Sequence, residues 1–277
     1  MGRSHALSGW CAGLAVAPLV GLTSVAEVVP FAAATAGYAL LPDLDHPGAK
    51  ASRLLGPITR IVSGALRTFS GILYNVTKGP RDEEGTGKHR HATHTVAAAL
   101  LLGFLAAGAG ERGGKWAVLA IAVTGLVLAA DVLGDWIVLA ALGAAGWSVV
   151  NAVLPDAAAE ALPGTTAAEA LQAGLAGIGS WIGVAVALGM FVHCLGDSLT
   201  RSGCPWLWPV PIRGETWYEI RLPRHLRFRT GGWVENLLIA PALVIGGVLL
   251  LPGAWATLTN LAAAIWSTTS IWIAGGA

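Results

Sequence analysis

The sequence predicts an all-α polytopic membrane protein, with about eight transmembrane helices plus an amphipathic helix at the membrane interface. Three observations predict this. Of 277 residues, 55% are hydrophobic and 12% charged, with a mean hydropathy of +0.65, too apolar for a soluble domain with a hydrated surface. Apolar runs near the length needed to cross a bilayer recur along the chain. The basic residues also segregate by loop.

The first two spans are read at 6–22 and 25–41, short runs rich in the Gly and Ala that let helices pack closely. A single Arg precedes the first run and no small-residue cleavage site follows it, so that span is expected to be retained. Further spans are read at 94–110, 116–130, 136–152, 176–198, 233–251 and 254–274. Residues 116–152 are too long for one span, and Asp131-Val-Leu-Gly-Asp135 interrupts them. A tight turn is the natural reading, and a long kinked helix the alternative.

The chain therefore reads as one membrane domain, 1–277, with two large loops on one side, 42–93 and 199–232. In this register, Arg112 and Lys115 are the only two of 17 Lys and Arg residues on the opposite side, whose longest loop, 153–175, carries Asp156, Glu160 and Glu169 and no basic residue. The positive-inside rule then places both large loops and both termini in the cytoplasm, in a multi-pass protein of the cell membrane.

Within the first loop, residues 51–78 place Leu54, Leu55, Ile58, Ile61, Val62, Leu66, Phe69, Ile72, Leu73 and Val76 at helical spacing, with Arg53, Arg60 and Arg67 every seven residues on another face. Such a helix lies flat at the interface with its arginines toward lipid phosphate; the alternative is a packed helix of a soluble subdomain. The Gly-rich, mixed-charge stretch 78–88 reads as a mobile flap or a plain linker. The second loop, with its Trp, Pro and Arg content, reads as an ordered interfacial loop with aromatic anchors. Cys11 and Cys194 read as packing residues, Cys204 as a loop residue near the site, and no disulfide is expected.

The chemistry sits at the edges of the spans. His5, His46, His89, His91, His94 and His193 all fall there, beside the carboxylates of Leu41-Pro-Asp-Leu-Asp-His-Pro47 and His193-Cys-Leu-Gly-Asp197. One such His is ordinarily a packing residue. Several clusters in a chain so poor in charge point to function, because ionisable groups are costly in hydrocarbon. Histidine and carboxylate together suit a borderline divalent ion, which in open sites activates water. Pro42 and Pro47 force a turn in which Asp43 and Asp45 can reach a metal pair, although Asp also serves turns on its own account. His89 and His94, five apart, do not share a helix face, so one precedes the helix, with Thr93 a candidate N-cap and His94 at the first helical position. His193 and Asp197 at i, i+4 share one face of a helix end, the most geometrically specific signal. Arg90, between two ligand candidates, is the natural phosphate clamp.

Taken together, these segments resemble the YdjM-type inner-membrane family of metal-dependent hydrolases. The resemblance is carried by His5-Ala-Leu-Ser-Gly9, the 41–47 segment, His89-Arg-His-Ala-Thr-His94 and His193-Cys-Leu-Gly-Asp-Ser-Leu-Thr-Arg-Ser-Gly203. It extends to Thr230-Gly-Gly-Trp-Val-Glu235, and it implies a phospholipase-like hydrolase. By position it implies His5, Asp43, Asp45, His46, His89, His94, His193 and Asp197 as metal ligands, with Glu235 a weaker candidate as ligand or partner of Arg229. His91 departs from the family, which more often has Gly there; it can add a ligand, crowd the pocket or point outward. The His-x-x-x-Asp element also resembles zinc-dependent phospholipase C by short-motif analogy.

The expectation is therefore a hydrolase that cuts a lipid phosphoester at the cytoplasmic interface. Asp45, His94 and Arg90 would carry catalysis, and the cofactor would be two or more divalent ions, Zn first and Mn, Fe or Mg as alternatives. The partner is a membrane lipid and not nucleic acid, and the oligomeric state is open. A metal or proton transporter would place ionisable groups at mid-membrane depth, where the sequence has only Glu27 and the 131–135 turn. A structural or regulatory membrane protein would need no metal at all.

Overall fold

The computed structural model describes residues 2–153 and 167–275. Its regular elements are helices: α1 (Gly2–Val16), α2 (Val25–Tyr38), α3 (Pro57–Thr77), α4 (Val96–Leu133), α5 (Trp136–Val153), α6 (Ala167–Ser198), α7 (Ala240–Leu249) and α8 (Ala254–Gly275), joined by loops and short 3-10 turns, with one π-helical turn at Glu235–Ile239 leading into α7. Asp156 and Glu160 of the expected acidic loop lie outside the described residues.

Among the described residues, three stretches are long and apolar enough to cross a membrane: Val25–Asp45, Val96–Leu133 and Ala173–Ser198. The pair Glu235–Leu249 and Ala254–Trp266, bent by 86°, adds a fourth if it is one broken span. By length and apolarity the described helices therefore give three or four candidate spans, with α4 counted once, where about eight were expected. Several expected spans are short, and α1, for instance, is a 15-residue helix.

The 38 residues of α4 contain one non-helical residue, Gly114, at φ 61° and ψ −157°, a region that glycine enters without steric cost. In a continuous helix, residues 110 and 118 would stand about 12 Å apart. Here a Cβ on Gly110 would lie 3.3 Å from Val118 Cγ2, so the two halves of α4 run side by side as a hairpin. A second turn, at Gly134 with φ 96°, separates α4 from α5, as the tight-turn reading of Asp131–Asp135 expected.

Helix α2 is the centre of the bundle and packs against α1, α4, α5 and α6. Its neighbours approach to backbone distance through glycines. A Cβ on Gly37 would meet Gly125 O of α4 at 1.8 Å, and one on Gly189 of α6 would meet Thr35 O at 2.6 Å and Ala39 N at 2.8 Å. Such small-residue contacts are how helices associate where no water is available to drive them together. They also bring the end of α6, with His193 and Asp197, against the turn that follows α2.

The amphipathic segment is α3, and its packing is inverted relative to a helix of a soluble domain. The residues it buries are small or polar, Ser63, Ser70, Gly71 and Tyr74. Leu55, Ile58, Ile61, Val62, Phe69, Ile72 and Val76 are exposed, Ile61 by 72% and Val76 by 78%. An apolar face turned away from the protein fits lipid and disfavours the packed-subdomain alternative. The 78–88 stretch is not a free flap, because Tyr74 Oη donates to Glu83 O, Ser70 Oγ donates to Gly87 O at 2.5 Å and Gly79 N donates to Asp82 Oδ2 at 2.6 Å. In the 199–232 loop, Trp217 is buried and stacks on Trp208 with ring centroids 4.8 Å apart. These two aromatics hold the loop together.

Candidate metal centre

Four separate segments deliver the site. The first turns of α1 present His5. The 3-10 turn Pro42–Asp45, directly after α2, presents Asp43 and Asp45. The 3-10 turn Ala92–His94 presents His94 ahead of α4, whose N-cap is Thr95, its Oγ1 accepting from Ala98 N at 3.0 Å. The cap thus falls two residues later than Thr93. The last turns of α6 present His193 and Asp197.

Buried at the meeting point are His94 Nε2, His193 Nε2 and Asp197 Oδ2, none with a hydrogen-bond partner. The three residues form one group whose ligand atoms lie within 4.8 Å of one another. Each Nε2 lies 3.7 Å from Asp197 Oδ2, and the two stand 3.9 and 3.8 Å from Asp43 Oδ1. A tetrahedron with metal–ligand bonds of about 2.1 Å has edges of about 3.4 Å, so a closure of a few tenths of an ångström suffices. Leaving a buried polar atom unsatisfied costs about 1–3 kcal/mol, and a cation is one partner that all three can share.

The surroundings set the tautomers. His193 Nδ1 lies 2.7 Å from Ala39 O; a carbonyl only accepts, so Nδ1 carries the proton and Nε2 keeps its lone pair for the centre. Thr93 Oγ1 donates to Asp45 Oδ2 at 2.8 Å and lies 3.0 Å from His94 Nδ1, which in turn donates to the hydroxyl and leaves Nε2 facing inward. This is the arrangement by which metal-ligating histidines are oriented.

Asp45 takes a different position from Asp43. Fully buried, it accepts from Thr93, from Arg90 N at 3.3 Å and from His89 Nδ1 at 2.5 Å, with His94 Nδ1 3.5 Å away. It thus stands behind His94 rather than opposite its Nε2, although Asp45, His89 and His94 make a second group of metal-ligand type. His5 joins a third group with Asp43 and His193. Its ring stacks on His193 with centroids 3.9 Å apart, and its Nε2 lies 3.4 Å from Asp197 Oδ1.

Arg90 bridges the two sides, its backbone N–H on Asp45 and its Nη2 3.1 Å from Asp197 Oδ1. It does so at φ 59°, which is uncommon for a residue with a side chain and costs on the order of 1 kcal/mol. Both carboxylates hold it there.

His46 lies outside all three groups. Its Nδ1 accepts from Gly48 N at 3.1 Å while its ring tilts against His89. Partial burial, and then the neighbouring His89, lower its pKa. His91 turns away from the centre and packs on Tyr74 and Trp217; burial lowers its pKa as well. Glu235 also sits apart, accepting from Ser4 Oγ and Gly231 N. For His94, burial disfavours the charged ring, but the hydrogen bond and charge of Asp45, followed by Asp197, outweigh it and raise the pKa to about 9. A cation entering at neutral pH therefore displaces a proton there.

Sequence reasoning did not see Ala39 O, since a backbone carbonyl leaves no residue signal, or the role of Thr93, which looked like a helix cap. Cys204, read as a loop residue, is buried, with Sγ donating to His94 O at 2.9 Å. A family model described as YdjM inner membrane protein matches residues 1–274. No curated protein and no solved structure matches the chain.

Proposed function

This chain belongs to the YdjM inner membrane protein family, and on that premise we propose that it is a membrane-embedded, metal-dependent hydrolase that cuts a lipid phosphoester at the cytoplasmic face. The observation that carries the reading is the convergence of His94 Nε2, His193 Nε2 and Asp197 Oδ2, buried and without hydrogen-bond partners, beside Asp43 Oδ1. In this reading His94, His193, Asp43 and Asp197 hold the ion, and two nitrogens with two oxygens suit Zn, with Mn or Fe as alternatives. A divalent ion there supplies Lewis acidity and lowers the pKa of water.

The protein's own groups do the remaining work. Asp45 and Thr93 fix the His94 ring, and Ala39 O fixes that of His193. Arg90 offsets charge on Asp197 and stands ready for an anionic substrate oxygen. The exposed apolar face of α3 keeps this end of the bundle at the bilayer surface. The eight-segment, multi-pass arrangement with both large loops in the cytoplasm belongs to the same proposal and rests on the distribution of basic residues.

The test is elemental analysis of the detergent-purified full chain, followed by a hydrolysis panel of anionic lipids, zwitterionic lipids and water-soluble esters with metal-loaded protein. Stoichiometric metal and cleavage of a lipid phosphoester are expected. Metal-free, folded protein that takes up no added ion, or cleavage confined to soluble esters, overturns the reading.

A further inference from the structure

A cavity of about 500 Å³ opens beside the centre, between the start of α1, the loop at 48–51 and the end of α4. Two cations line it, Arg3 and Lys50, together with Asp43 and the apolar Leu40 and Val132. Asp43 is what connects it to the centre. Its side chain is 22% exposed, whereas His94, His193 and Asp197 show 1% or less, so of these four groups it is the one that reaches outward. The same carboxylate has Oδ1 within 3.9 Å of both ring nitrogens.

The cavity's chemistry selects its occupant. Lys50 Nζ gives one hydrogen bond to Asp131 O at 3.1 Å, and an ammonium carries three donors, so two remain. Arg3 adds a planar donor fork suited to phosphate oxygens. A cation bound behind Asp43 would cancel that carboxylate's charge and leave Arg3 and Lys50 as the dominant field in the cavity. The volume lies within the range of small-molecule sites, and the apolar side provided by Leu40 and Val132 is where carbon attached to a phosphate would lie.

We propose that this cavity is an anion subsite in which Arg3 and Lys50 bind a phosphate group next to the metal centre, the phosphate coming either from a lipid headgroup or from free phosphate. The subsite rests on the hydrolase reading for what becomes of the phosphate, and not for its binding. The test therefore measures binding. Full-length, metal-loaded protein in neutral detergent is titrated calorimetrically with inorganic phosphate and with dihexanoyl phosphatidic acid, for the parent, Arg3→Gln, Lys50→Gln, the double variant and Arg224→Gln as a control at an exposed loop cation.

Parent-like metal content in every variant, with phosphate binding weakened about tenfold or more in the double variant and unchanged in Arg224→Gln, is the expected result. Tighter binding of the short phosphatidic acid than of phosphate, lost in the same variants, assigns the site to a lipid headgroup; equal binding assigns it to free phosphate. Parent-like affinity of the double variant for both probes overturns the subsite and leaves the hydrolase reading untouched. Absence of turnover on every lipid, with Arg3- and Lys50-dependent binding intact, overturns the hydrolase reading alone.

Discussion

Asp45→Asn separates a group that orients a ligand from a ligand. Asp45 is fully buried and placed behind His94, with Oδ1 on His89 and Oδ2 on Thr93 and the Arg90 N–H. The amide is isosteric. Its oxygen can still accept from Thr93 and Arg90 N while its NH₂ faces His89, whose Nδ1 accepts in the neutral ring, so the fold survives. What is lost is the negative charge 3.5 Å from His94 Nδ1, and with it the added basicity of Nε2. Loss of such a partner costs about 10–100-fold in metal affinity, or about 1.4–2.7 kcal/mol. The assay is competition for Zn against a chromophoric chelator at fixed pH, with the thermal midpoint measured in parallel. Saturation at the parent's stoichiometry with a Kd weakened 10–100-fold is expected. A change below about threefold would refute the orienting role, and failure to bind stoichiometric metal even at saturating Zn would make Asp45 a ligand.

Four other outcomes follow from the same geometry. His193→Ala and Asp197→Ala each remove one of the buried atoms that lack a partner and should leave the chain with substoichiometric metal by elemental analysis; full metal content in both excludes the pair from coordination. Arg90→Ala should keep its metal, because it removes a cation that competes for Asp197, yet slow turnover of an anionic lipid by about 10–100-fold; parent-like turnover shows that Arg90 does not serve the substrate. Gly189→Ala would drive a Cβ into Thr35 O and Ala39 N, so a loss of about 1–3 kcal/mol in stability should coincide with weaker metal binding, as His193 one turn on is drawn off Ala39 O; an unchanged thermal midpoint argues against the close approach. Cysteine placed at Thr86 or Glu215 should be labelled by an impermeant reagent from the cytoplasmic side, and labelling only from outside reverses the topology.

What the sequence made legible was the chemistry at segment ends. His5, Asp43, His94, His193 and Asp197 come together from four segments far apart in the chain, and each had announced itself as an ionisable residue where such residues are costly. The pair at i, i+4 on α6 was readable because helical spacing alone sets it. Direction was not readable. Asp43 and Asp45 are two residues apart in a proline-bracketed turn, and residue type does not say that one faces the ring nitrogens while the other stands behind His94. His46 and His91 have the same imidazole as their neighbours, and packing against His89 in one case and Tyr74 with Trp217 in the other decides where they point. The amphipathic helix was legible by period, but only the structure reveals that its serines, glycine and tyrosine face the protein. The break within α4 was read between the spans 94–110 and 116–130, but which of the glycines there makes the turn, Gly114, was not.

Charge ties the centre to the fold. Asp43, Asp45 and Asp197 bring three negative charges to the end of the bundle, and Arg90, bonded to two of the three carboxylates, returns one positive. Arg3 and Lys50 line the cavity that Asp43 reaches, and the negative charge left among the groups shielded from water is stable there only when it is compensated. Without an ion, protonation of His94 supplies part of the compensation, in keeping with its raised pKa. A divalent cation adds to it while meeting three of the buried atoms that lack partners, His94 Nε2, His193 Nε2 and Asp197 Oδ2. The three ligand groups share His94 and His193, while the groups His5, Asp43, His193 and Asp45, His89, His94 have no residue in common, an arrangement compatible with the expected two or more ions. The glycine contacts of α2 with α4 and α6 then gain a second purpose: by letting α6 approach Ala39 O, they fix the His193 ring that such an ion would need. Packing in the bundle and chemistry at its end are in this way set by the same few small residues.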